Sequence, residues 1–155
     1  MKQRVLLTGG AGYIGSHTYA ALVEAGYDVL IVDNFCNASR EVPTRLTAVT
    51  GTDVQVIQAD VLDRAALDRV FADNAIDAVV PVATYKSVGE RVRNPLAYMQ
   101  NNVGGLVTLM QAMESAGVRR LVFSSSAAGY GEAAELPTPE TAALGYGNPY
   151  GHSKL

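Results

Sequence analysis

Three glycines spaced three apart, Gly9, Gly12 and Gly15, follow directly on a short apolar run and open a stretch of helical period. Strand, tight turn and helix in that order make a phosphate cradle. The helix start offers free N–H groups and the positive end of its dipole, and glycine lets the backbone come close to a diphosphate. In this reading Gly9 permits the turn, Gly12 admits the diphosphate and Gly15 lets the helix lie against the strand. Asp33 stands 18 residues beyond Gly15, at the end of a second apolar run. A carboxylate there accepts hydrogen bonds from a ribose diol and repels a 2′-phosphate, which favours NAD over NADP. Arg40 nearby pulls the other way. The structural alternatives are a glycine turn without a ligand, and Asp33 followed by Asn34 as a simple cap.

The elements that must position these residues follow a βαβ rhythm. Strands are predicted at Arg4 to Thr8, Asp28 to Val32, Val54 to Gln58, Ala78 to Val82 and Arg120 to Ser124. All are short, apolar and rich in β-branched residues, as strands covered on both faces are. Helices are predicted at Tyr13 to Ala25, Arg40 to Thr50, Arg64 to Asn74 and Pro95 to Ala116. The last has an apolar stripe wide enough to meet both the sheet and a second helix. Gly104 and Gly105 inside it each cost roughly 1 kcal/mol relative to alanine, so close packing is the expected compensation. The fold class is α/β: a Rossmann-type, doubly wound parallel sheet of about five strands.

Composition narrows the function. With 48% hydrophobic and 17% charged residues the chain reads as an ordinary globular domain, and a net charge of -3 gives no reason to expect nucleic acid or an anionic membrane as partner. Cys36 is the only cysteine, which excludes an intrachain disulfide and a cysteine-rich metal site and suits a reducing compartment. There is no signal-peptide core and no apolar stretch of spanning length, so a cytoplasmic protein is expected. His17 has no second ligand near it in sequence and reads as packing, and His152 as a surface residue. No metal is expected.

The segments TGGAGYIGSH, DNFCNAS, KSVGE, NNVGG, SSSAAGYG and NPYGHSKL, the last with Tyr150 and Lys154, resemble UDP-glucose 4-epimerases of the extended short-chain dehydrogenase/reductase family along the whole chain. Such epimerases are longer, so the resemblance implies that residues 1–155 form the NAD-binding domain and that the substrate domain is absent. The family's reaction moves hydride from the sugar C4 to NAD and returns it to the other face. Carried over here, Tyr150 is the general base. A free phenol is a weak base at neutral pH, and Lys154, one helical turn away on the same face, favours the phenolate while its ammonium holds the nicotinamide ribose. Ser126 hydrogen-bonds the reacting hydroxyl. Beside Gly9, Gly12, Gly15 and Asp33, the resemblance implies a cofactor lining of Tyr13, Ile14, Asn34, Phe35, Cys36, Asn37, Ala38, Asp60, Val61, Val82, Ala83, Thr84, Lys86 and Asn101. Asp60 reads equally as a cap for the next helix, and Ser124 and Ser125 as a strand-end turn. Ala127 and Ala128 occupy the positions where relatives that dehydrate nucleotide sugars carry Asp and Glu, so dehydration lacks its acid and base.

Some positions depart from that pattern. Pro81 replaces a histidine and cannot donate to a sheet ladder. Thr84 and Tyr85 alter the nicotinamide end, and Ala128 and Gly129 loosen the substrate wall. Tyr150 and Lys154 sit on a single turn before Leu155, which carries the nucleation cost without propagation and is expected to fray. An exposed fifth strand and the wide apolar helix imply a homo-oligomer. The expected function is the NAD-binding half of an enzyme interconverting UDP-glucose and UDP-galactose, inactive without the half that grips the UDP-sugar. The rival readings are a stand-alone NAD-binding module and an NAD-dependent dehydrogenase or reductase, whose sign is net NADH.

Overall fold

The computed structural model describes residues 2–86, 94–132, 135–145 and 149–155. Ser87 to Glu90 of the KSVGE segment and Asn148 of the closing segment lie outside the described residues. Strands β1 (Arg4–Thr8), β2 (Asp28–Asp33), β3 (Gln55–Gln58) and β4 (Ala78–Pro81) form one sheet in the order β3, β2, β1, β4. Every pairing is parallel, with Leu6 opposite both Leu30 and Val79.

Successive side chains of a strand point to opposite faces, and both faces of this sheet are covered. Leu6, Leu30, Val32 and Val79 pack under helices α3 (Arg64–Asp73) and, later in the chain, Gly105–Ser115, through Leu67, Val70, Phe71, Leu109, Ala112 and Met113. Leu7, Val29 and Ile31 face the other way, against Tyr19 of α1 (Tyr13–Glu24) and Leu46 of α2 (Val42–Thr50). This is why the strands read as unbroken apolar runs, and the doubly wound reading holds. Because β1 lies between β2 and β4, the chain direction across the sheet reverses beside it, and a crevice opens at the carboxyl ends of the strands.

The single helix expected over 95–116 is three pieces: α4 (Pro95–Tyr98), a π-helical segment (Met99–Gly104) and α5 (Gly105–Ser115). The close packing that its glycines imply is present. A methyl group on Gly105 would sit 2.8 Å from Val61 Cγ2, and one on Gly104 would be 3.6 Å from Leu62 Cδ2.

The fifth strand does not form. Val79 donates to the Arg120 carbonyl at 2.9 Å and accepts from Val122 N–H at 3.0 Å, a single bridge centred on Leu121. In a parallel ladder every second residue of a strand bonds to the same neighbour, so the next donor toward this segment is residue 81. That residue is Pro81, which has no N–H, and the ladder stops there. The other side of β4 is unaffected, with Val82 N–H donating to the Thr8 carbonyl at 3.0 Å. Pro81→Ala is expected to supply the missing rung to the Val122 carbonyl, stabilise the chain by about 1 kcal/mol and slow amide exchange at Ser124, whose N–H faces the residue 81 carbonyl. Exchange there as fast as in the parent chain would show that something other than proline ends the strand.

Candidate functional site

The site begins at the turn between β1 and α1. Gly9 has φ 72°, a left-handed conformation that favours glycine, and its N–H donates to the Val32 carbonyl at 2.7 Å. A methyl group on Gly15 would strike the Gly9 carbonyl oxygen and lie 2.6 Å from Gly10 Cα, so only glycine lets the helix seat on the turn. Gly12 differs from both. The single atom near its absent side chain is the Gly9 oxygen at 3.3 Å, and its outer side opens into a cavity. The first bond of α1 runs from Ser16 N–H to the Gly12 carbonyl at 2.9 Å. The N–H groups of Tyr13, Ile14 and Gly15 therefore have no partner within the helix. All three residues line the cavity, and no acidic side chain occupies the first turn. Such an arrangement is able to receive an anion.

Asp33 closes the crevice opposite. It is buried, and its Oδ2 accepts from Ala11 N–H at 3.0 Å while Oδ1 accepts from Phe35 N–H at 2.8 Å. The carboxylate is thus a turn cap and also a wall of the cavity, since each oxygen keeps a further lone pair. The bond to Ala11 fixes it beside Gly12. Asp60 is not the helix cap. Its Oδ2 accepts from Asn34 Nδ2 at 2.8 Å and its Oδ1 from Leu62 N–H at 2.8 Å, whereas Asp63 caps α3 by accepting from Ala66 N–H at 3.0 Å.

The cavity measures about 540 Å³, within the range of ligand and cofactor sites. Its walls bring together Gly9, Gly12, Tyr13, Ile14 and Gly15 from the first turn, with Asp33 at the end of β2 and Asn34, Cys36 and Asn37 after it. Val61, Val82, Ala83, Thr84, Lys86 and Asn101 also line it, and so do Tyr150 and Lys154. Phe35, Ala38, Asp60 and Ser126 lie outside the wall. Phe35 has Arg40 over its ring at 5.0 Å, and Arg40 Nη1 donates to Gln58 Oε1 at 3.0 Å. Ser126 caps the 3₁₀ turn Ala127–Tyr130, its Oγ accepting from Ala128 N–H at 3.2 Å. Tyr85, expected beside Thr84 at the nicotinamide end, lines the cavity, and so do Val32, Ala59, Tyr98 and Ser124, which were not among the expected residues. Strand ends flanking a reversal point were a usable signal for Val32 and Ala59. Tyr98, three residues before Asn101, had none.

The π-helical segment has a local consequence. Its wide turn buries two consecutive asparagines. Asn101 Nδ2 donates to the Ala83 carbonyl at 3.2 Å, and the Asn102 amide holds Tyr85 at both backbone groups, accepting from N–H at 2.8 Å and donating to C=O at 3.0 Å. The loop after β4 is thereby fastened to the cavity wall.

Tyr150 lies on the one-turn helix α6 (Pro149–His152). The structure lays this turn against the body of the domain. Ser153 and Lys154 are both buried, and tertiary hydrogen bonds do the work that helix propagation cannot. Lys154 Nζ donates to the Ser124 carbonyl at 2.9 Å and lies 5.1 Å from the centroid of the Phe123 ring. Burial pulls the pKa of this ammonium below the ordinary lysine value. Ser124 is therefore part of the site and not a bare turn. His17 packs edge-on against Tyr13 at 4.9 Å. Among the described residues no group of three or more His, Cys, Asp or Glu is placed to hold a metal, and no helix is long and apolar enough to cross a membrane.

Comparison with known proteins agrees with this geometry. The sequence profile of the NAD dependent epimerase/dehydratase family matches residues 5–155. A UDP-glucose 4-epimerase of Bacillus subtilis is 49% identical over 151 residues, covering 97% of this chain and 44% of that protein. A Schizosaccharomyces pombe UDP-glucose 4-epimerase is 48% identical, again over 97% of this chain and 44% of the relative. Among solved structures, the Stenotrophomonas maltophila UDP-glucose 4-epimerase with bound NAD and formylated UDP-arabinopyranose superposes with a TM-score of 0.94 at 45% identity. It is matched over 98% of this chain and 45% of its own. The Bifidobacterium longum enzyme in complex with NAD+ and UDP gives 0.94 at 44% identity, over 98% and 46%. The chain spans less than half the length of the relatives it matches.

Proposed function

Because the chain belongs to the NAD dependent epimerase/dehydratase family, we propose that it is the NAD-binding part of a UDP-glucose 4-epimerase. The N–H groups at the start of α1 hold the diphosphate, Asp33 the adenine ribose, and Lys154 the nicotinamide ribose. NAD, when bound, supplies a reversible hydride acceptor. Tyr150 takes the proton of the sugar hydroxyl. Ser126, outside the cofactor wall, meets the substrate hydroxyl; its Oγ accepts one bond and keeps its own proton to donate.

One observation carries the NAD assignment: the Asp33 carboxylate, buried and tied to Ala11 N–H at 3.0 Å, faces the same cavity as the unpartnered start of α1. The test is to purify the chain, denature it and identify any released nucleotide by mass. NAD is the expected species. Recovery of NADP, or no nucleotide together with no measurable NAD affinity, would overturn the proposal. The homo-oligomer belongs to the same proposal, with Leu96, Val103, Val107 and Met110 as its exposed apolar face. Sedimentation is expected to give a mass above the monomer's 16.4 kDa; a monomer at high concentration would contradict it. A cytoplasmic location fits the lone, unpaired Cys36.

A further inference from the structure

The turn bearing Tyr150 and Lys154 is too short to hold itself, and two serine hydroxyls outside the expected site take hold of it. Ser125 Oγ donates to the Lys154 carbonyl at 3.0 Å. Ser153 Oγ donates to the Tyr150 carbonyl at 2.8 Å and accepts from Asn102 Nδ2 at 3.2 Å. The Asn102 carboxamide leaves no freedom in this link. Its two N–H bonds go to Ser153 Oγ and the Tyr85 carbonyl, and its oxygen accepts from Tyr85 N–H and Asn101 Nδ2 at 3.1 Å. That is the full hydrogen-bonding capacity of an amide. The three consecutive serines thus divide their labour: Ser124 receives the Lys154 ammonium on its carbonyl, Ser125 fixes the Lys154 backbone, and Ser126 caps the following turn.

We propose that Ser125 and Ser153 are positioning residues: their hydroxyls set the Tyr150–Lys154 turn in register with the cavity, in place of the helical bonds that one turn lacks. The inference rests on the reading of Lys154 as the group that meets the nicotinamide ribose. Ser125 acts from the segment after the β4 bridge, and Ser153 from the turn itself through Asn102. Both clamps act beside the bond from the Lys154 ammonium to the Ser124 carbonyl, so losing either removes one of the tertiary bonds that hold the turn.

The chain has three lysines, of which Lys2 and Lys86 are exposed and Lys154 is buried. Amine labelling read by mass spectrometry therefore carries its own references. In Ser125→Ala and in Ser153→Ala, Lys154 is expected to label faster by about five- to ten-fold, the value of one net hydrogen bond, with Lys2 and Lys86 unchanged. NAD affinity is expected to fall by a similar factor while ADP affinity stays the same, because ADP reaches only the α1 and Asp33 end. Ser125→Thr and Ser153→Thr, which keep the hydroxyl, are expected to restore both readouts. If the parent chain binds NAD and the alanine variants keep the parent's labelling and NAD affinity, the positioning role is wrong while the cofactor site stands. If labelling rises at all three lysines with a lowered melting temperature, the serines act on stability alone and the proposal also fails. A parent chain that binds neither NAD nor ADP would instead remove the cofactor reading.

Discussion

Gly15→Ala is expected to lower the melting temperature of this chain by about 6–12 °C and to abolish NAD binding. The added methyl group meets the Gly9 carbonyl oxygen and comes to 2.6 Å from Gly10 Cα, both backbone atoms that no rotamer change can move aside. Either α1 lifts away from β1 or the turn deforms, at a cost of about 3 kcal/mol, which for a domain of this size corresponds to that shift. Gly12→Ala is the control. Its methyl group meets only the Gly9 oxygen at 3.3 Å and otherwise projects into the cavity, so melting is retained while NAD affinity falls. Calorimetric melting with nucleotide titration separates the two. A Gly15→Ala chain that melts and binds like the parent would mean that the seat of α1 is not set by this contact.

Asp33→Asn is expected to weaken NAD binding on the order of 100-fold, the value of two hydrogen bonds to a charged group. The parent carboxylate accepts Ala11 N–H on one oxygen and Phe35 N–H on the other. An amide has one accepting atom, so its NH2 is forced against one of these donors and leaves it unpaired, costing about 1–3 kcal/mol of stability. Removing the negative charge also removes the repulsion of a 2′-phosphate, so the preference for NAD over NADP is expected to shrink. Titration with both nucleotides decides it. An unchanged NAD affinity would show that Asp33 caps the turn and does nothing for the ligand.

The parts of the site that were legible in the sequence share a property: each depends on neighbours close along the chain. Gly9, Gly12 and Gly15 serve one turn, and Asp33 ends one strand. Tyr150 and Lys154 were identified through resemblance and four-residue spacing. What was not legible depends on contacts between distant segments. Ser124 read as a turn residue because its role is to offer a carbonyl to Lys154, 30 residues away. Tyr98 lines the cavity from the helical turn just before the π-helical segment, across from strand ends far away in sequence. The fifth strand was expected from its apolar pattern, and Pro81, although recognised as unable to donate, ended it because its missing N–H falls on that side of β4.

Sequence by itself determined the α/β class, the doubly wound sheet and the glycine turn beneath α1, since hydrophobic period, glycine spacing and strand-end carboxylates are local consequences of residue type. The tertiary structure decided which carbonyl takes the Lys154 ammonium, how a one-turn helix stays in place and where the sheet ends. Those outcomes are hydrogen bonds between segments brought together by packing, and no local pattern encodes the partner of a buried donor.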